Sequence, residues 1–348
     1  MGLMTGPLRV LMLTAAWPRP GQPQTTHFVK RQVDYLRDAG VDVDVYVLRG
    51  DRRARNYLRA WREVRGRLAT GSYDLVHAQF GQSGLLALPS PLPLIVTLRG
   101  SDILGIVGPG GRKLRLGRVL QAITRLVCRC ADAVVVVSAH MKPYLPAGVS
   151  ATVLPSGLDF ELFRPIPRDE ARRYLGLPLD RRYVLFAGDP AQPRKRHHIA
   201  AEAVRLAGLV DPVEMLVAWG VSHREMPYYV NACDAMVFTS MQEGSPNVVK
   251  EALACNLPVV SVDVGDVAER LQGIDGCEVT TSDDPAAIAD ALVRVLRRGG
   301  RVAGRETVLG LDEHACTQRL IGIYRSIVGT VSVARRPAAA LLPEMTDA

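Results

Sequence analysis

Two glutamates hold the most chemistry in this sequence. In Ser240–Glu251, SMQEGSPNVVKE, Glu243 and Glu251 are separated by seven residues that include a Gly-Ser-Pro-Asn turn. The segment follows the apolar run Ala235–Thr239 and opens a helix near Pro246–Asn247. Gly244 and Ser245 suit the tight turn, Ser245 can cap, and Pro246 suits the first helical turn. The backbone N–H groups of Gly244–Val248 then point out of a helix N-terminus, which is an anion site that fits a diphosphate. Glu251, a little further along the helix, is placed to accept from both hydroxyls of a ribose. The bland alternative is a capped helix with two surface glutamates. A second cluster, Arg194-Lys195-Arg196, offers cations to a phosphate, or else forms a solvated basic loop. Leu98-Arg99-Gly100-Ser101-Asp102 and Val76-His77-Ala78-Gln79 both end apolar runs. There Asp102 can bond a sugar hydroxyl or cap a turn, and His77 reads alone as a packed, hydrogen-bonded residue. No Asp-X-Asp pattern or His cluster suits a metal.

These residues need a scaffold, and the hydropathy pattern supplies one. Leu8–Thr14, Val43–Leu48, Asp74–Ala78, Leu94–Leu98 and Ala133–Ser138 read as strands too apolar for a one-sided sheet. Helix patterns at Thr26–Ala39, Arg53–Ala69 and Arg112–Cys130 lie between them. A break at Pro155–Pro167 precedes a second alternation. There the strands are Tyr183–Ala187, Val213–Trp219, Ala235–Thr239 and Pro258–Val262, with helices near Lys195–Ala207, Arg224–Ala232 and Asn247–Ala254. A last amphipathic helix, Asp312–Val328, places Cys316, Leu320, Ile323, Tyr324 and Ile327 on one side. Strand–helix alternation means βαβ units, so the expected fold is α/β, with two facing Rossmann-like domains. They would span 1–160 and 161–310, with a helix over 311–330 returning to the first domain and a disordered tail over 331–348. Ligands of such sheets bind outside the carboxyl ends of the strands, here in the cleft between the domains.

The residues EGSPNVVKEALACNLPVVSVDVGDVAE resemble the glutamate–seven–glutamate signature of retaining glycosyltransferase family four, of the GT-B fold. The similarity extends through VLFAGDPAQPRKRHHIAAEAV, ADAVVVVSAHMKPYL, VLPSGLDFELF, DLVHAQFG and LIVTLRGSD. It implies a nucleoside-diphosphate sugar held mainly by the second domain, a sugar, polyol, lipid-linked or other small-molecule acceptor held mainly by the first, and no cofactor or metal. It further implies retention by front-face attack, the leaving diphosphate helping to deprotonate the acceptor. Lys195 matches the family's phosphate-binding lysine, with Arg194 beside it; Glu243 would meet the donor sugar and Glu251 the ribose. Gly244, Ser245, Pro246, Asn247 and Val248 would hold the diphosphate, while Gly220 and Val221 would lie near the base. His77, Gly100, Ser101 and Asp102 would lie on the acceptor side.

Three departures bear on the substrate. Arg99 stands where relatives carry His, and an always-protonated guanidinium supplies charge rather than a base. Asp189 stands where relatives carry a phosphate-binding Arg, so Arg194 or Arg99 would replace that charge. Pro18–Thr26 replaces a Gly-Gly turn. A silent sugar-nucleotide-binding module and a sugar-nucleotide epimerase on the same fold are the competing functions.

Net charge is +8 over 348 residues, with 48% apolar and 22% charged residues, the balance of a globular protein. Residues 1–165 hold 22 Lys+Arg against 11 Asp+Glu, a net of +11; the remaining 21 against 24 give −3. A basic half points to an anionic partner. Arginines crowd Arg49–Arg67 among Tyr57, Leu58, Trp61, Val64 and Leu68, which fits peripheral contact with an anionic membrane or an outer helix of the first domain. Nucleic acid is not expected, since no recognition motif accompanies the charge. No apolar run spans a bilayer, Leu8–Ala16 reads as a strand rather than a leader, and six scattered cysteines read as buried thiols of a cytoplasmic protein.

Overall fold

The computed structural model describes residues 7–18, 27–49 and 54–334. Eleven described strands form two all-parallel sheets. The first contains β1 Arg9–Thr14, β2 Asp42–Val47, β3 Leu75–Gln79, β4 Leu94–Leu98, β5 Ala133–Val136 and β6 Thr152–Val153, in the order β2-β1-β3-β4-β5-β6. The second contains β7 Tyr183–Ala187, β8 Glu214–Ala218, β9 Ala235–Phe238, β10 Val259–Val262 and β11 Glu278–Thr280, in the order β11-β10-β9-β7-β8. Read from β8, the second sheet repeats the order of the first. Each order reverses beside its first strand, at β1/β3 and at β7/β9, and that reversal opens a crevice at the carboxyl ends.

The strands form where they do because both faces are covered. Every residue of β3, β4 and β7 is buried, as continuous apolar runs require. The helix Pro285–Arg298, not anticipated from sequence, packs on the helix His197–Val210 and closes one side of the second sheet. The short strands β6 and β11 were likewise unforeseen.

After the second domain the chain returns. Leu158 bridges Asp312, and the helix Glu313–Ala334 lays Cys316, Leu320, Ile321, Tyr324 and Val328 against Val10, Met12 and Leu75 of the first domain. The buried stripe keeps the expected Cys316, Leu320 and Tyr324 and adds Ile321 and Val328, while the expected Ile323 and Ile327 are only partly buried at its flank. The helix also runs past Val331, where a disordered tail was expected to begin; residues 335–348 lie outside the described residues, as does most of Pro18–Thr26.

The basic arm is the helix Ala54–Thr70. Its Ala60 and Val64 are buried in the first core, and Trp61 donates to the Leu88 carbonyl at 2.9 Å. Arg59 pairs with Glu63, Arg67 pairs with Asp44, and Arg65 donates to backbone carbonyls. Apart from the exposed Leu58, its apolar stripe therefore closes the sheet rather than facing outward; Arg52 and Arg53 lie outside the described residues. No described helix is long and apolar enough to cross a membrane. Of the six cysteines, Cys130 is exposed and Cys277 half-buried, against the expectation of uniformly buried thiols.

Candidate active site

The loop after β7 and the loop after β9 meet at the reversal of the second sheet. Thr239 Oγ1 donates to the Lys195 carbonyl at 3.0 Å, and Met241 N–H donates to the Arg194 carbonyl at 2.8 Å. These bonds bring Lys195 Nζ to 2.7 Å from Glu243 Oε1, with Arg194 on the same oxygen and the Phe238 ring 5.2 Å from the ammonium. Burial raises the Glu243 carboxyl pKa, but Lys195 and Arg194 outweigh it and hold the group below its usual range. Burial conversely lowers the Lys195 ammonium, with Glu243 opposing. Arg196 turns away, its Nε donating to the Thr239 carbonyl at 2.6 Å.

Glu243 leads into the helix Asn247–Ala254. Pro246 occupies the cap position and no side chain caps the helix. Ser245, expected to cap it, instead donates its hydroxyl to Asp266 at 2.8 Å. The leading N–H groups are thus left to whatever enters the cleft. Asn247 Oδ1 is buried without a hydrogen-bond partner, an acceptor whose burial is costly unless a donor arrives. Glu251 is 5% exposed, and no hydrogen bond to its carboxylate is present among the described residues. Burial pushes its pKa up, while Arg31 and Lys250 pull it down.

The first domain contributes Arg99 at the end of β4. Its Nε and Nη2 donate to Gln79 Oε1 at 2.9 and 2.6 Å, its Nη1 to Ser156 Oγ at 2.8 Å, and its plane lies 4.6 Å from the Phe28 ring centre. Among the described residues no carboxylate pairs with the fork, and burial, with Arg31 adding repulsion, brings its pKa down to about 10. Asp102, expected to bond a sugar hydroxyl or cap a turn, takes the second role: it is buried and accepts the backbone N–H groups of Gly81, Arg99, Gly100 and Ile103. It shapes the loop and does not reach the cleft. His77, placed on the acceptor side from sequence, is also corrected. It is fully buried inside the first sheet, between Tyr324 Oη at 2.6 Å and Thr97 Oγ1 at 2.8 Å. Asp189 accepts the N–H of Ala191 in a local turn and lines neither pocket described next.

Two pockets share Phe28, Lys195, Asn247 and Val248 and form one cleft. The first, about 300 Å³, gathers Arg99, Gly100, Ser101, Arg194, Glu243, Gly244, Ser245 and Pro246. The second, about 250 Å³, gathers Gly220, Val221, Glu251, Arg31, Trp219 and His223. The two domains touch at this point through backbone. A Cβ on Gly244 would lie 2.3 Å from the Arg99 carbonyl oxygen, and one on Gly100, at φ +132°, would lie 3.1 Å from the Gly244 nitrogen. Phe28, Arg31, Gln79 and Ser156 escaped the sequence reading. Gln79 and Ser156 lie within segments singled out for other residues, while Phe28 and Arg31 sit on a helix that gave no sign of facing a site.

Comparison with known proteins adds the family. Residues 9–162 match the family model described as Glycosyltransferase Family 4, and residues 180–298 that described as Glycosyl transferases group 1. D-inositol 3-phosphate glycosyltransferase of Mycobacterium tuberculosis is 29% identical over 314 residues, covering 76% of this chain and 64% of that enzyme, so the chain spans just under two thirds of its length. In fold the chain is similar to sucrose-phosphate synthase of Thermosynechococcus elongatus, with TM-score 0.78, 20% identity, and 93% and 100% of the two chains covered. It is also similar to Anabaena HepE in complex with UDP-glucose, with TM-score 0.61, 17% identity, and 94% and 100% covered. The two models match the two domains in order and together span most of the chain, which thus carries a Glycosyltransferase Family 4 domain followed by a Glycosyl transferases group 1 domain, on the fold it shares with sucrose-phosphate synthase.

Proposed function

We propose that this glycosyltransferase moves a sugar, with retention, from a nucleoside-diphosphate sugar to an acceptor hydroxyl. The observation that carries the reading is the meeting of Lys195, Arg194 and Glu243 with an uncapped helix N-terminus in one cleft. Negative charge grows on the leaving diphosphate as the glycosidic bond breaks, and preorganised cations and N–H groups stabilise it where water is excluded. Asn247 Oδ1 and the Glu251 carboxylate, both short of donors, suit hydroxyls of the bound donor, with Glu251 on the ribose. Gly220 and Val221 lie beside them for the base. The acceptor oxygen bonds to the anomeric carbon on the face from which the diphosphate departs, and its proton passes to a diphosphate oxygen. No side chain acts as nucleophile, and no cofactor or metal is assigned.

Arg99 faces this cleft from the acceptor side with an unneutralised charge. It suits a phosphate or carboxylate on donor or acceptor better than a neutral hydroxyl. UDP-sugars are the first donors to try, since the Anabaena neighbour is described with UDP-glucose. The test is incubation with UDP-, GDP-, ADP- and dTDP-sugars, with and without acceptors, followed by proton NMR of the anomeric signals. Transfer or slow hydrolysis with retained configuration, about a hundredfold slower in Lys195→Ala, is expected. Donor binding without turnover would leave a silent module, and a changed sugar still on its nucleotide would mean an epimerase.

A further inference from the structure

The first domain holds a surface that the transfer reaction does not use. From Ile103 to Ala131 there is no acidic residue, while Arg112, Lys113, Arg115, Arg118, Arg125 and Arg129 lie within it. All six are exposed, and none makes an ion pair among the described residues. The helix Arg115–Cys130 buries Gly117, Thr124, Val127 and Cys128 against the domain. Its outward side consists of two stripes. Leu116, Val119 and Leu126 recur at a spacing of three and seven residues and are 48%, 55% and 50% exposed. Arg115, Arg118, Arg125 and Arg129 run alongside them. A solvated helix would be polar between its arginines; this one turns branched apolar chains to water along its length. Leu114, also exposed, continues the apolar patch at the helix start.

We infer that this face docks on an anionic lipid surface. An apolar stripe beside a basic one is the pattern of a helix lying in the interfacial plane, its leucines among the acyl chains and its guanidinium groups at the phosphates. The basic arm Ala54–Thr70 lacks the pattern, because its tryptophan is bonded inside the domain and Arg59 and Arg67 are paired. Docking would also aim the molecule. Lys113, within this face, lines with Tyr144 a third pocket, about 280 Å³, that also takes in Glu243. The mouth of that pocket would then lie at the lipid surface. This inference does not depend on the proposed reaction.

Flotation of the full chain with phosphatidylcholine vesicles, with and without about one third phosphatidylglycerol, tests it. The protein is expected to float with the anionic vesicles and not with the neutral ones. Leu116→Ser/Val119→Ser/Leu126→Ser should abolish flotation, and Arg115→Gln/Arg118→Gln/Arg125→Gln/Arg129→Gln should lower partitioning at least about tenfold. Both sets are exposed, so melting temperature and donor hydrolysis are expected to stay unchanged. Arg55→Gln/Arg62→Gln on the other helix should float normally. Absence of flotation by the unmodified protein overturns the inference, as does flotation unaffected by the first two sets. A dimer in light scattering that the triple serine variant dissolves would assign the face to a second copy, and RNA binding without vesicle binding would assign it to nucleic acid; either result overturns it.

Discussion

Arg99 enters the cleft with a full charge on its fork and only neutral partners, Gln79, Gln32 and Ser156. Two demands are thereby placed on one side chain. It tethers Ser156, in the segment joining the domains, and it offers charge to an incoming anion. Arg99→Ala should therefore cost both turnover, by about a hundredfold, and a few degrees of melting temperature, since buried acceptors lose their donors. Arg99→Lys keeps the charge without the fork, so it should recover part of the turnover and little of the melting temperature. If turnover merely tracked melting temperature across Ala, Lys and His, the residue would be structural. Glu251 makes a separable prediction. Glu251→Ala should weaken calorimetric binding of nucleoside diphosphate by roughly 1–3 kcal/mol, and an unchanged affinity in a folded variant would refute the ribose assignment.

The loop ahead of the helix Asn247–Ala254 is built around a contact that only glycine permits. Gly244 Cα faces the Arg99 carbonyl so closely that a methyl group would lie 2.3 Å from its oxygen, and backbone on both sides cannot yield as a side chain would. Gly244→Ala should hold the domains apart and lower turnover about a hundredfold by misplacing the two halves of the site. Nucleotide affinity, set by the neighbouring pocket around Glu251, should change little; a parallel loss of both would mean that the loop itself had collapsed. The sequence announced this helix and its flanking strand clearly, because an apolar run, a turn and a proline follow one another within a few residues. It did not reveal that Ser245 turns to Asp266 instead of capping, since a hydroxyl's choice among acceptors is made by tertiary neighbours. Nor could it separate the two basic helices. Both Ala54–Thr70 and Arg115–Cys130 interleave arginines with apolar residues, and only packing decides which apolar stripe is covered. Strands β6 and β11, two and three residues long, carry too little pattern to be seen at all.

The two domains are joined by more than their linker, because the final helix Glu313–Ala334 returns to seal the first core. His77 lies at that seam, fully buried, with Tyr324 of the returning helix on Nδ1 and Thr97 of β4 on Nε2. Burial, with Arg99 adding repulsion, lowers its pKa to about 3, far below the ordinary value of 6.5. A histidine depressed in this way stays neutral in the folded protein while the unfolded chain takes up a proton below pH 6.5. Its contribution is complete above that pH and is lost as the pH falls toward 3. Over that window stability should decline by up to about 1.4 kcal/mol per pH unit from His77, and His140, also depressed by burial, adds to it. Chemical denaturation between pH 7 and 5, above the range where most carboxylates titrate, isolates the effect. His77→Gln is expected to flatten the decline while lowering stability at pH 7. Tyr324→Phe should cost about 1 kcal/mol at every pH and keep the slope, because the titrating ring remains buried. If His77→Gln declines as steeply as the unmodified chain, the acid sensitivity of the fold lies elsewhere, and the seam is held by its apolar contacts alone.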